Sequence, residues 1–169
     1  HCRVLVSYVF TQLWNSRPMK VAIISGSVYG TAEEVARHAE SLLKAAGLQA
    51  WHAARASLQD LEGFAPQALL AVTSTTGMGE LPDNLMPLYS SIRDILPAAW
   101  RGLPGAVIAL GDASNGDTFC AGGEQMRELF AERGGREVLP MLRVDASESV
   151  TPEQDAEPWL AEFMSLLRG

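Results

Sequence analysis

Ser25-Gly26-Ser27-Val28-Tyr29-Gly30-Thr31 combines hydroxyls and glycines between an apolar run, Val21–Ile24, and a helical pattern opening at Ala32-Glu33-Glu34-Val35-Ala36. A continuous apolar run bounded by turn residues reads as a strand buried on both faces. Thr31, Glu33 and Glu34 suit the first turn of a helix, where unpaired N–H groups and the positive end of the dipole lie. Strand, hydroxyl-rich loop and helix start together bind phosphate through backbone N–H groups and hydroxyls. The loop carries no Lys or Arg and is not G-x-x-x-x-G-K-[ST], which argues against triphosphate chemistry. Nor is it G-x-G-x-x-G, so a dinucleotide pyrophosphate fits poorly. A single phosphate on neutral donors remains, against the plain alternative of a strand-to-helix turn without a ligand.

Two further polar loops follow apolar strands. Ser74–Asp83 (STTGMGELPD) comes after Ala68–Thr73, and Gly111–Asp117 (GDASNGD) after Gly105–Leu110. Loops after parallel strands gather at one edge of a sheet, where ligands bind at the topological switch point.

The elements that must position these loops are legible in order. Residues 32–46 place Val35, Ala36, Ala39, Leu42, Leu43 and Ala46 on one helical stripe, ending at Gly47. Leu48–Ala53 reads as an edge strand and residues 57–63 as a short turn or helix. Asn84–Leu96 forms a helix stopped by Pro97, and Asp117–Arg133 another. Glu137–Val144 contains a last strand and Pro152–Leu167 a closing helix. Alternating strands and helices imply right-handed βαβ units and a parallel sheet covered on both faces.

The chain has 169 residues, 47% hydrophobic and 20% charged, which is one globular domain's worth. A formal net charge of -7 argues against nucleic acid and anionic membranes and favours a basic protein partner. The two cysteines, Cys2 and Cys120, form no metal spacing with His1, His38 or His52, so free thiols in a reducing cytoplasm are expected. Residues 1–18 are too short and interrupted for a membrane span and make a weak signal peptide. They are expected to be an upstream extension before a natural start at Met19, with the domain covering 19–169.

These residues resemble the flavodoxin family. Ser27–Glu34 (SVYGTAEE) is similar to the phosphate loop S-x-T-G-x-T/A and its SQTGTAEE form. Ser74–Asn84 resembles the loop over one flavin face, and Leu110–Cys120 (LGDASNGDTFC) resembles the LGDSSYxxTFC loop over the other. The resemblance runs from Met19 to about Leu167. It implies a flavodoxin-like three-layer α/β sandwich with a five-stranded parallel sheet in the order 2-1-3-4-5. It also implies non-covalent FMN. With no insertion in Val138–Val144, the chain is similar to the short-chain branch, of the MioC and YqcA kind.

Carried onto this sequence, the resemblance implies phosphate contacts at Ser27, Val28, Tyr29, Gly30, Thr31 and Ala32. One ring face falls to Ser74, Thr75, Thr76, Gly77, Met78 and Gly79. The other falls to Leu110, Gly111, Asp112, Ser114, Asn115, Asp117, Thr118 and Phe119. The Gly77–Met78 peptide is expected to respond to the flavin's redox state, because a glycine turns its carbonyl at little steric cost.

The sequence departs from the pattern in places. Asn115 or Gly116 stands where a stacking Tyr is usual, Thr76 where some relatives carry Trp, and the hydroxyl usual near Val28 and Tyr29 is missing. Met78 or Tyr29 could cover the ring instead, although Tyr29 is expected to be structural. A lost stacking ring removes about 0.5–1.5 kcal/mol beyond burial.

The implied activity is one-electron carriage between a flavodoxin reductase and redox acceptor proteins with basic surfaces, as a monomer and not as an enzyme. Glu80, Asp83, Asp112 and Asp117 would steer those partners. The alternative is a flavodoxin-like binding module with weakened or lost FMN binding. An FMN-dependent quinone or azo reductase would need a substrate pocket and usually a dimer; the sequence offers no catalytic acid or dedicated lid, and the chain is short for it. A phosphoacceptor receiver domain would need an acidic pair where Ser25 stands. Glu33 and Glu34 are expected as helix-start charges and Cys120 as a buried filler. Trp51, Trp100 and Trp159 are expected as anchors, and His38 and His52 as solvated.

Overall fold

The computed structural model describes residues 18–76, 78–95 and 98–168, without the side chains of Ala99 and Asp117. The expected extension up to Arg17, the Gly77 peptide, the Leu96-Pro97 stop and Cys2 lie outside the described residues.

The strands are β1 (Lys20–Gly26), β2 (Gln49–His52), β3 (Ala68–Thr73), β4 (Pro104–Gly111), β5 (Arg136–Glu137) and β6 (Leu142–Asp145). They form one parallel sheet in the order β2-β1-β3-β4-β5, with β6 also paired to β4. The helices are α1 (Thr31–Ala45), α2 (Leu58–Phe64), α3 (Met86–Asp94), α4 (Ala121–Glu132), α5 (Pro152–Asp155) and α6 (Glu157–Arg168).

Why the strands are apolar throughout is visible in β1. Val21 and Ile23 face a core shared with α1 and α6, through Val35, Leu43, Leu160 and Phe163. Ala22 and Ile24 face a second core shared with α2, α3 and α4, through Leu61, Ile92 and Met126. A strand covered on both sides has no polar face to show. At the end of α1, Gly47 takes φ +91° and the Leu48 N–H reaches back to Leu43 O at 3.0 Å, closing the helix as a left-handed cap.

Three element boundaries differ from the expectation. The final strand is two pieces: Pro104 faces Arg136 but Ile108 faces Leu142, so two extra residues loop out between them. Pro140 sits in that gap and has no N–H for the ladder. The helix expected from Asp117 starts at Ala121, because Ala113–Thr118 is a 3₁₀ segment broken at Gly116 (φ 61°, ψ -118°). The closing helix is divided at Ala156.

Among the described residues, no helix is long and apolar enough to cross a membrane. No cluster of His, Cys, Asp and Glu among them could hold a metal ion.

Candidate functional site

The first loop leaves β1 at Gly26, where an added Cβ would lie 2.7 Å from Leu85 Cβ, so only glycine passes beneath the start of α3. The Ser27 N–H donates to Asn84 Oδ1 at 3.0 Å, and the Gly30 N–H donates to Ser27 Oγ at 2.8 Å. Ser27 Oγ thus accepts within the loop and keeps its own O–H to donate outward. Gly30 turns with φ 89° and its carbonyl takes the first helical bond, from Glu34 N–H at 3.0 Å. The N–H groups of Thr31, Ala32 and Glu33 find no acceptor among the described residues. These are the orphan donors of a helix start, backed by the positive dipole end.

The second loop is tied on both sides. Ser74 N–H donates to Gly26 O at 2.9 Å, joining it to the first loop. Gly122 N–H donates to Thr75 Oγ1 at 3.0 Å and Gln125 Nε2 donates to Gly79 O at 2.8 Å, joining it to α4. Thr76 closes a turn on itself, donating from N–H (2.9 Å) and Oγ1 (3.1 Å) to Glu80 O.

In the third loop Asp112 Oδ1 accepts from Ser114 N–H at 2.9 Å and Ser114 Oγ at 2.6 Å. Those bonds hold the Asp112 carboxyl below its ordinary range, so it stays charged. Asp145, at the end of β6, accepts from Ala113 N–H at 3.3 Å and from Ser147 Oγ at 2.6 Å. Its carboxyl is lowered by the Ser147 bond first. An added Cβ at Gly111 would meet Cys120 N at 2.8 Å, so the loop doubles back over the end of its own strand. Thr118 donates to Asn115 O at 3.2 Å, and Phe119 N–H to Gly116 O at 3.0 Å.

The expected residues at 27–32, 74–76, 78–79, 110–112, 114–115 and 117–119 therefore lie on one edge of the sheet, at the carboxyl ends of β1, β3 and β4. Gly77 lies outside the described residues, and the position of Asp117 is given by its backbone alone. Leu110 is buried in the core, one residue before the end of β4. Three large apolar side chains at this edge stand open: Val28 at 56%, Met78 at 85% and Tyr29 at 95%. The structural role expected for Tyr29 is thus not what the described contacts give it. Asn115 and Gly116 are exposed.

Asn84, Gln125 and Asp145 hold the loops and were not among the expected site residues. Asp145-Ala146-Ser147 carries a legible turn signal, an Asx turn, but nothing local shows that it would reach the third loop.

Nearby expectations resolve as follows. Cys120 is fully buried, its Sγ 3.5 Å from Ala109 O, and burial pushes its thiol up to about 11. His52 is not solvated: its Nε2 lies 2.7 Å from Ser25 Oγ, and burial lowers its pKa against the opposing pull of Glu40. His38 pairs with Glu157 at 2.7 Å. Trp51 packs on Phe64, Trp100 is buried, and Trp159 stacks on Phe163, so all three are anchors.

The family profile described as "Flavodoxin" matches residues 23–159. The chain belongs to the flavodoxin family. Flavodoxin YqcA of Escherichia coli K12 is 39% identical over 148 residues, 88% of this chain and 98% of that protein. A cysteine-to-alanine mutant of flavodoxin from Pseudomonas aeruginosa superposes with a TM-score of 0.86 at 75% identity, covering 89% of this chain and 100% of that one. A flavodoxin from Fusobacterium nucleatum, solved bound to flavin mononucleotide, matches at a TM-score of 0.69 and 18% identity over 86% of this chain and 97% of that one, which speaks to the fold.

The expected sheet order, the flavodoxin family and its YqcA branch are thus found. Flavodoxins are electron-transfer proteins rather than enzymes, and the cofactor of the family is FMN.

Proposed function

We propose that this flavodoxin holds FMN at the carboxyl edge of its sheet. There, in the cytoplasm and as a monomer, it would pass electrons one at a time between a reductase and acceptor proteins with basic surfaces. The observation that carries the reading is the start of α1, where the N–H groups of Thr31, Ala32 and Glu33 lack acceptors beside a Ser27 hydroxyl free to donate. That donor set suits a phosphate monoester and needs no cation.

Ser27, Val28, Tyr29, Gly30, Thr31 and Ala32 would hold the phosphate. Ser74, Thr75, Thr76, Gly77, Met78 and Gly79 would border one ring face. Leu110, Gly111, Asp112, Ser114, Asn115, Asp117, Thr118 and Phe119 would build the other. Bound there, FMN supplies the redox chemistry, and the protein sets its affinity and potential. With no ring at Asn115, the exposed faces of Tyr29 and Met78 are the chain's means of covering the flavin from water. Glu80, Asp83 and Asp112 put negative charge at this edge, which disfavours added electron density on a neighbouring ring and attracts a basic partner.

The absent aromatic at Asn115 and Gly116 also favours a second reading, a binding module that keeps the scaffold but holds FMN weakly. Purification with flavin absorbance, followed by titration of the apoprotein with FMN, separates the two. Saturable quenching of flavin fluorescence at micromolar protein supports the carrier. A colourless protein that quenches nothing at that concentration refutes it and leaves the module.

A further inference from the structure

At the amino edge of the sheet, opposite the flavin loops, the two-sided cover is incomplete. A shallow apolar hollow, open to solvent, lies between the beginnings of β3 and β4 and the last turns of α4. Leu69, Val107, Trp100 and Phe130 form its walls, and its space is kept by glycine. An added Cβ at Gly105 would lie 3.2 Å from Leu69 O and 3.9 Å from Phe130 Cδ2. Gly105 and Gly111 are six residue steps apart along β4, so this hollow is about 20 Å from the phosphate loop's side of the sheet.

The charges around this apolar hole are one-sided. Arg127 is taken, bound to Glu124 and to Glu137, each at 3.1 Å. That pairing also neutralises Glu137, which lines the cavity. Arg133 and Arg136 line it as well, and neither has a carboxylate partner among the described residues. The Nε of Arg133 is shielded from water and has no hydrogen-bond acceptor among them. In a chain of net charge -7, two unpaired guanidiniums beside an apolar cavity are a local reversal of sign. The guanidinium fork of an unpaired arginine matches a carboxylate.

We infer that this cavity binds a small carboxylic acid with an aromatic or branched apolar body. The body lies against Trp100 and Phe130, and the carboxylate meets Arg133 and Arg136. The chain's own amino-terminal residues 1–17 would suit the site less well, because they carry Arg3 and Arg17 and no acid.

The test is an amide NMR titration of the full chain with 3-phenylpropionate and, as the uncharged control, 3-phenylpropionamide. Saturable shifts at Gly105, Phe130 and Gly135 are expected, with Kd on the order of 1 mM for so small a ligand. The amide should bind at least about tenfold more weakly, and Arg133→Gln or Arg136→Gln should remove most of that difference. Equal binding of acid and amide, shifts gathered at residues 27–32, or no saturation overturns the inference. Contacts from residues 1–17 to Phe130 before any ligand is added would assign the cavity to the chain itself and also overturn it.

Discussion

Replacing Gly122 by Ala tests whether the second loop is set by its close approach to α4. Gly122 lies in the first turn of α4, and a Cβ there would sit 2.7 Å from Ser74 O and 3.2 Å from Thr75 Oγ1. Both neighbours are held, Ser74 by its N–H bond to Gly26 O and Thr75 by the Gly122 N–H itself, so the loop cannot yield cheaply. Overpacking of this kind costs about 1–3 kcal/mol, and weakening the bond to Thr75 adds about 0.5–1.5 kcal/mol. Against that, alanine gains about 0.5–1 kcal/mol over glycine in a helix. The clash wins, for a net loss of about 1–3 kcal/mol, or a fall of about 2–10 °C in Tm for a chain of this size. The displaced loop should also weaken FMN by about tenfold.

Gly63 is the internal control. It too lies in a helix, α2, but a Cβ there meets nothing within 4 Å. Gly63→Ala should therefore gain about 0.5–1 kcal/mol and leave FMN binding unchanged. Calorimetric or circular-dichroism melts, with FMN fluorescence titrations of both variants, decide the matter. If Gly122→Ala melts as high as Gly63→Ala and binds FMN as tightly as the parent, the close-approach reasoning is wrong.

Three other outcomes are expected. Ser27→Ala removes the acceptor of the Gly30 N–H and, on the proposed reading, a donor for phosphate, so FMN should bind about tenfold more weakly with little change in melting temperature; equal affinity by fluorescence titration would count against Ser27 as a ligand. The Cys120 thiol, raised by burial from 9.0 to about 11, should react with a thiol reagent near neutral pH about 100-fold more slowly in the native protein than in urea. His52 has its pKa lowered from 6.5, chiefly by burial, with Glu40 and Glu33 opposing and Arg37 assisting. The fold therefore disfavours its protonation, and its contribution to stability is complete above pH 6.5 and lost as pH falls below that value. Urea melts across that window should show a shallower decline for His52→Gln than for the parent.

Much of this molecule could be read from the chain because the relevant forces are local. The unbroken apolar run of β1 reports burial on both faces, and Gly47 reports a left-handed helix end. The order of strand, polar loop and helix start reports a row of unpaired donors, since any such turn leaves its first backbone N–H groups without acceptors. The bounds of β3 match the sequence reading to the residue, Ala68–Thr73. The family motifs supplied the sheet order, which no local pattern encodes.

Tertiary structure decided the rest, and in each case the cause is a partner distant in sequence. Asn84 reaches Ser27 across 57 residues, and Asp145 reaches Ala113 across 32. His52 reads as a surface residue until β1 and β2 pair and bring Ser25 to it. The edge strand divides because Pro140 and two extra residues meet the fixed spacing of β4. The arginine-flanked cavity at the amino edge arises only when α4 crosses β3 and β4, for empty space is a property of packing and leaves no trace in residue order. Local preference is written in the identity of each residue and its neighbours; a contact between distant segments is chosen by the whole packed chain.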